Sequence, residues 1–164
     1  MSAILEADYG IRQLHGRYID AVFRKDAVSF GRCFTDDAQW KIAGRHFSGR
    51  DAIVEGFLAL AGYAERVLMF VGMPVLDIGD GEATGRLPVT EYVKARDGSH
   101  MRTIGVYHDR YRGQGMEWRF HARDWTLYYR GPGDFSEPFF PGIDYGPPPA
   151  MPDPGAPPLV QQRD

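Results

Sequence analysis

The densest collection of groups able to do chemistry lies between Ser99 and Arg130, SHMRTIGVYHDRYRGQGMEWRFHARDWTLYYR. Tyr107, His108, His121, Arg123, Trp125 and Tyr128 stand there among aromatic neighbours. A histidine between tyrosines suits general acid–base work near neutral pH. Arg123 keeps its charge even in an apolar site, which suits it to holding an oxyanion or a leaving group. Glu91, in the apolar run LPVTEYV, is a second candidate base. Desolvation raises the pKa of such a carboxyl, unless Arg86, Arg102 or Arg123 pairs with it and lowers the value again. His108 could face a pocket or a subunit interface. His121 is one residue removed from Arg123 and shares its face unless a bulge intervenes; the other reading is an interface histidine.

The remaining polar candidates carry plainer expectations. His15 reads as a partly solvated helix residue, and His46 and His100 as loop or turn residues. Asp36 and Asp37 read as a turn and cap feature, and Cys33 as a small core residue. Tyr18, Trp40 and Tyr107 could each be ordinary core aromatics. No HxH, CxxC or HExxH spacing occurs, which argues against a bound metal. No G-x-G-x-x-G or P-loop occurs either, so no cofactor is expected.

The elements that position these residues follow from hydrophobic period and turn chemistry. From about Glu6 to Lys25, Ile11, Leu14, Tyr18 and Val22 recur at helical spacing. Asp26 can cap a second helix carrying Val28, Phe30 and Phe34. AQWKI then alternates as a short strand. A third helix begins near Ser48-Gly49-Arg50-Asp51, with Gly62 as its stop. Four β segments follow, at about Arg66 to Ile78, Glu82 to Ala95, Ser99 to Arg112 and Glu117 to Tyr129. Gly79-Asp80-Gly81, Arg96-Asp97-Gly98 and Gly113-Gln114-Gly115 join them as tight turns, which implies an antiparallel meander. Helices first and a meander afterwards give an α+β domain, with helices covering one face of a strongly curved sheet and an apolar hollow between them.

Composition limits the function classes. The 164-residue chain suits one domain, and a net charge of −3 with pI near 5.9 offers no basic stripe for nucleic acid or an anionic membrane. A single cysteine excludes an intrachain disulfide. No signal-peptide pattern or spanning apolar run is visible, so a cytoplasmic domain is the default expectation. Ten of the twelve prolines follow Gly131, which separates a domain over residues 1–131 from a tail. FSEPFFPGIDY has anchors to bury, so residues 132–149 are expected to lie ordered over the domain or the pocket mouth. Residues 150–164, rich in proline, are expected to be extended or disordered.

Three segments, IRQLHGRYIDAVFRKD, CFTDDAQWKIAGRHFSGRDAI and GVYHDRYRGQGMEWRFHARDW, resemble the nuclear transport factor 2-like superfamily in its SnoaL-like branch. The branch includes enzymes of the scytalone dehydratase, bile acid 7α-dehydratase and hexachlorocyclohexane dehydrochlorinase types. The resemblance implies a cone-shaped, strongly curved antiparallel sheet covered by three N-terminal helices. It also implies pairing as a homodimer or homotrimer through the exposed sheet face. Tyr18, Trp40, Arg123 and Glu91 match pocket positions of those enzymes, and FFPGIDYGPP resembles a tail that folds over the mouth of the cone. The histidine–aspartate base of those lyases is absent, because Phe23 and Leu68 stand at the corresponding places. The resemblance therefore implies a cofactor-independent lyase or isomerase acting on a small hydrophobic, aromatic substrate. Arg123, Glu91, Tyr18, His108 and His121 are its catalytic candidates, and Trp40, Tyr107, Phe23, Leu68, Phe139 and Phe140 its apolar wall. The alternative on the same fold is a non-catalytic ligand-binding or assembly module.

Overall fold

The computed structural model describes residues 2–134, 137 and 150–157. Helix α1 (Ala3–Arg24) buries Ile11, Leu14, Tyr18 and Val22 along one stripe, together with His15 and Ala21. It ends where Lys25 turns left-handed at φ 55° and returns its backbone N–H to the carbonyls of Ala21 and Val22. The side chain of Asp26 caps helix α2 (Ala27–Arg32) by accepting from the Ser29 amide at 3.0 Å. Helix α3 (Arg50–Tyr63) runs through Gly62, which was expected to stop it. Nothing crowds Gly62, and the helix simply passes into a strand at Ala64.

The strands are β1 (Phe34–Ile42), β2 (Arg45–Ser48), β3 (Ala64–Val71), β4 (Val75–Ile78), β5 (Glu82–Ala95), β6 (His100–Gln114) and β7 (Glu117–Gly131). They form one seven-stranded sheet in the order β2-β1-β7-β6-β5-β3, with β4 also paired to β5. The fold is α+β, a curved and unclosed sheet covered by helices. One detail of the expected meander changes: β7 lies beside β1 and runs parallel to it, so the sheet is mixed. Asp36 and Asp37 likewise lie inside β1, where a register shift between Phe34 and Gln39 lets the strand bend. Arg50 holds Asp36 at 2.6 Å, and Arg112 holds Asp37 at 3.2 Å. The expected segment from Arg66 to Ile78 divides into β3 and β4.

The core between helices and sheet is built largely of aromatics. Phe30 stacks on Phe57 at 4.0 Å, and Tyr18, Phe34, Trp40 and Phe120 pack around them. On the opposite, convex face, residues 150–157 cross the sheet. Arg86 donates to the Ala150 carbonyl, Arg110 to that of Pro152, and Lys41 to those of Pro154 and Ala156. No helix among the described residues is long and apolar enough to cross a membrane.

Two glycines of α1 meet opposite surroundings. A Cβ at Gly10 would lie 2.5 Å from the Met116 carbonyl oxygen, whereas nothing lies within 4 Å of one at Gly16. Gly16→Ala should therefore stabilise the protein by about 1 kcal/mol through helix propensity. Gly10→Ala should destabilise it by about 1–3 kcal/mol through overpacking. Urea unfolding of the two variants would show the opposite signs.

Candidate functional site

Strand alternation decides what reaches the hollow. On β6 the inward positions include Thr103, Tyr107, Asp109 and Tyr111, and on β5 they include Leu87, Val89, Glu91 and Val93. Between this concave face and helices α1 and α3 lies a cavity of about 420 Å³. Val22, Phe57, Leu60, Val67, Met69 and Leu127 give it apolar walls. Tyr18, Trp40, Glu91, Thr103, Tyr107 and Trp125 bring polar groups to the same space, and Lys25 and Arg130 also line it.

Glu91 is half-buried, and its carboxylate accepts from the Thr103 hydroxyl at 3.0 Å. Burial raises its pKa; the Thr103 hydrogen bond and the charge of Arg123 pull it back only in part. Tyr18 and Tyr107 meet edge to face at the inner end of the cavity, with ring centres 6.4 Å apart. Burial pushes the Tyr18 phenol up to about 12, against the opposing pull of Arg123, and holds Tyr107 well above its usual range. Both phenols are neutral hydroxyls at physiological pH.

Arg123 lies behind those rings and is fully buried. Its guanidinium carbon is 4.2 Å from the Tyr18 ring centre, 3.9 Å from that of Tyr107 and 4.1 Å from that of Phe120. Nε and Nη2 grip Asp109 at 2.8 and 3.0 Å. Burial opposes the charge on Arg123, but Asp109, Tyr18 and Tyr107 together outweigh it and raise the pKa. Asp109 also accepts from the Tyr111 hydroxyl at 3.2 Å, and Tyr111 is 2.9 Å from His15 Nε2. Because the Tyr111 proton goes to Asp109, His15 must donate from Nε2. Its Nδ1 is then a bare acceptor, 3.4 Å from Arg123 Nη2. Burial, reinforced by Arg123, lowers the His15 pKa and keeps the ring neutral.

The structure distributes the expected site residues unevenly. Tyr18, Glu91, Trp40 and Tyr107 line the cavity, and Arg123 supports it from behind without lining it. His108 points to the convex face, in a cross-strand row with Arg86, Asp124 and Lys41, and lies 3.3 Å from Thr126 Oγ1. The bulge that would turn His121 away is present: Arg110 faces Ala122 while Tyr111 faces Phe120, so His121 is skipped. It sits 3.4 Å from Asp37. Phe23 is 60% exposed on the outer stripe of α1 and Leu68 is 41% exposed, so neither walls the cavity. Val22, Val67 and Met69, their immediate neighbours, do so instead, because helix rotation and strand alternation point them inward. Phe139 and Phe140 lie outside the described residues. His15, expected to be partly solvated, is buried. Its signal was its place in the Ile11–Leu14–Tyr18 stripe, just as two-residue alternation from Tyr107 marked Thr103 and Asp109. Lys25 and Arg130 carried no such signal.

A cone of helices and curved mixed sheet around an apolar cavity is the nuclear transport factor 2-like fold. The chain belongs to the SnoaL-like domain family, whose pattern matches residues 3–124. No curated protein sequence matches it. Among solved structures it is similar to LinA, with a TM-score of 0.74 and 19% identity over 89% of this chain and 97% of that one. A scytalone dehydratase candidate from Novosphingobium aromaticivorans has a TM-score of 0.69 and 16% identity, covering 74% and 83%. A Mycobacterium tuberculosis protein of unknown function has a TM-score of 0.65 and 25% identity, covering 72% and 69%. The similar structures thus include proteins named as a dehydrochlorinase and a dehydratase. Among the described residues no cluster of histidine, cysteine and carboxylate groups could hold a metal ion.

Two outcomes test this electrostatic arrangement. Asp109→Leu and Arg123→Met should each destabilise the protein by about 3–5 kcal/mol, because each leaves a buried charge unpaired. The double variant should recover part of that loss in chemical denaturation. Acid should also weaken the fold. Burial, then the nearby charge of Arg86, lowers the His108 pKa from 6.5 to about 4. A group depressed in the folded state contributes stability that is full above its unfolded value and lost as pH falls through the folded one. His108 and His15 therefore predict falling urea midpoints between about pH 6.5 and 4, and His108→Gln should flatten that slope.

Proposed function

We propose that the protein is a cofactor-independent lyase or isomerase that removes a proton from a small hydrophobic, aromatic substrate. Glu91 carries the proposal, as a carboxylate with raised pKa in an otherwise apolar cavity. A base of that kind is strengthened by its surroundings and screened from bulk water. The histidines offer no competing base at the cavity: His108 and His121 face elsewhere, and His15 is engaged by Tyr111 behind the wall.

In the proposed reaction a Glu91 carboxylate oxygen takes a proton from carbon. The electron pair left behind forms the new double bond and expels a leaving group from the neighbouring carbon. Halide would leave as the anion, and a hydroxyl group would leave as water by taking up the proton that Glu91 removed. In a retro-aldol variant Glu91 takes the proton of a hydroxyl, and a small carbonyl fragment forms as the carbon–carbon bond breaks. Tyr18, packed beside Tyr107, donates a hydrogen bond to the oxygen on which negative charge grows. The Arg123 guanidinium, held against their rings by Asp109, adds a fixed positive field that needs no reorganisation. Trp40, Trp125, Phe57 and Met69 offer the flat and adaptable surface an aromatic ring would pack against.

The test is deuterium incorporation and product formation from a panel of aryl alcohols, aryl β-hydroxy compounds and chlorinated rings incubated in D2O. Turnover should appear with at least one class. Glu91→Gln should lower kcat by about 100-fold or more, and Tyr18→Phe by about 10-fold, with thermal midpoints little changed. Ligand binding without exchange or turnover would make the protein a binding module of the same fold. Equal turnover by Glu91→Gln would remove Glu91 as the base.

A further inference from the structure

Two cations line the cavity with no part in the proton chemistry. Lys25 closes α1, and its ammonium donates to the Ala64 carbonyl at 2.5 Å, at the junction of α3 and β3. Arg130 is the next-to-last residue of β7, and its side chain is exposed. Its Nε rests 3.3 Å from the Met101 sulfur, and among the described residues it has no carboxylate partner. Glu137 packs over the adjacent Gly131 without forming an ion pair to Arg130. One cation therefore comes from the helix layer and one from the sheet, and both line the cavity.

Register places Arg130 with respect to the acid. Thr103 pairs with Glu91 on one side and with Arg130 on the other, so the three form one inward row across β5, β6 and β7. At about 4.8 Å per strand, the backbones of Glu91 and Arg130 are about 10 Å apart. The charge that acts on Glu91 is that of Arg123, and no ion pair joins Glu91 to Arg130. The acid deep in the row and the cation at its rim thus do not neutralise one another. A guanidinium presents paired donors suited to a carboxylate, and its value rises beside apolar surface. With a net charge of −3 the chain as a whole repels anions, so attraction of one must be local.

We infer that Arg130, assisted by Lys25, binds the anionic group of the substrate, which is an aromatic acid carrying its carboxylate about one ring-length from the bond that Glu91 attacks. The inference rests on the cavity being a substrate site, as proposed above, and it narrows the substrate from any small aromatic to an amphipathic monoanion. The ring occupies the apolar space beside Trp125 and Met69, and the carboxylate stays at the wet rim, where its desolvation is smallest. Arg130 is here a specificity-determining residue; it takes no proton.

The probes are 2-naphthylacetate and its methyl ester, which share the ring and differ in charge. Isothermal titration calorimetry of the full chain should show the acid binding about tenfold tighter than the ester at low salt, with the preference shrinking as sodium chloride is added. Arg130→Gln should abolish the preference and leave ester affinity unchanged, Arg130→Lys should keep part of it, and Lys25→Gln should reduce it. Equal binding of acid and ester by the wild-type protein overturns the inference, as does a preference that survives Arg130→Gln or binding of neither probe. Binding needs no turnover, so the two proposals fail separately. Loss of the acid preference leaves the role of Glu91 intact, and an unaffected Glu91→Gln enzyme leaves the anion site intact.

Discussion

A full positive charge at the centre of the molecule constrains everything around it. Arg123 has no exposed surface, and burying a guanidinium is tolerable only where a carboxylate and further hydrogen bonds meet it. Asp109 supplies the carboxylate to Nε and Nη2, Tyr111 and His15 extend the network, and three aromatic faces enclose the guanidinium, whose Nη1 has no hydrogen-bond partner among the described residues. Such a cluster admits one arrangement of α1 against β6 and β7, because moving any member leaves a buried charge or polar group unpartnered. Tyr18 comes from the helix and Tyr107 from the sheet, and the guanidinium between them fixes their approach.

The cavity inherits its polarity from that cluster. Its inner end is set by two neutral phenols backed by a cation, its middle by Glu91 and Thr103, and its rim by Lys25 and Arg130. The rest is hydrocarbon and aromatic surface. Burial affects these groups in one consistent sense: it raises the carboxyl and phenol pKa values and lowers those of the histidines, so charge is confined to places where a partner or solvent meets it. The convex face of the same strands is organised differently. Its cross-strand row of Lys41, Asp124, His108 and Arg86 lies with Arg110 under residues 150–157, and the cations among these hold backbone carbonyls.

Much of the fold was legible because burial imposes a period. The stripe through Ile11, Leu14, Tyr18 and Val22 is a helix face, and glycine-bearing turns at Gly81, Gly98 and Gly115, all at positive φ, mark hairpins. Even so, a periodic pattern states which residues share a face and not which strand lies beside which. The parallel pairing of β1 with β7 joins segments about eighty residues apart and left no local mark. Bulges are similarly hard to read. One residue of slippage between Arg110 and Tyr111 moved His121 out of the company of Arg123.

Read alone, the sequence determined the fold class and the presence of Tyr18, Trp40, Glu91 and Tyr107 as candidates. These follow from residue type, period and resemblance, which are local properties of the chain. Only the tertiary structure decided that Arg123 supports the cavity from behind, that His15 and Asp109 belong to its network, that His108 faces the other way, and that Arg130 stands at the rim in the row of Glu91. Those facts depend on strand register and on the packing of α1 against the sheet. Such long-range contacts decide which charges meet and which are left facing an open cavity.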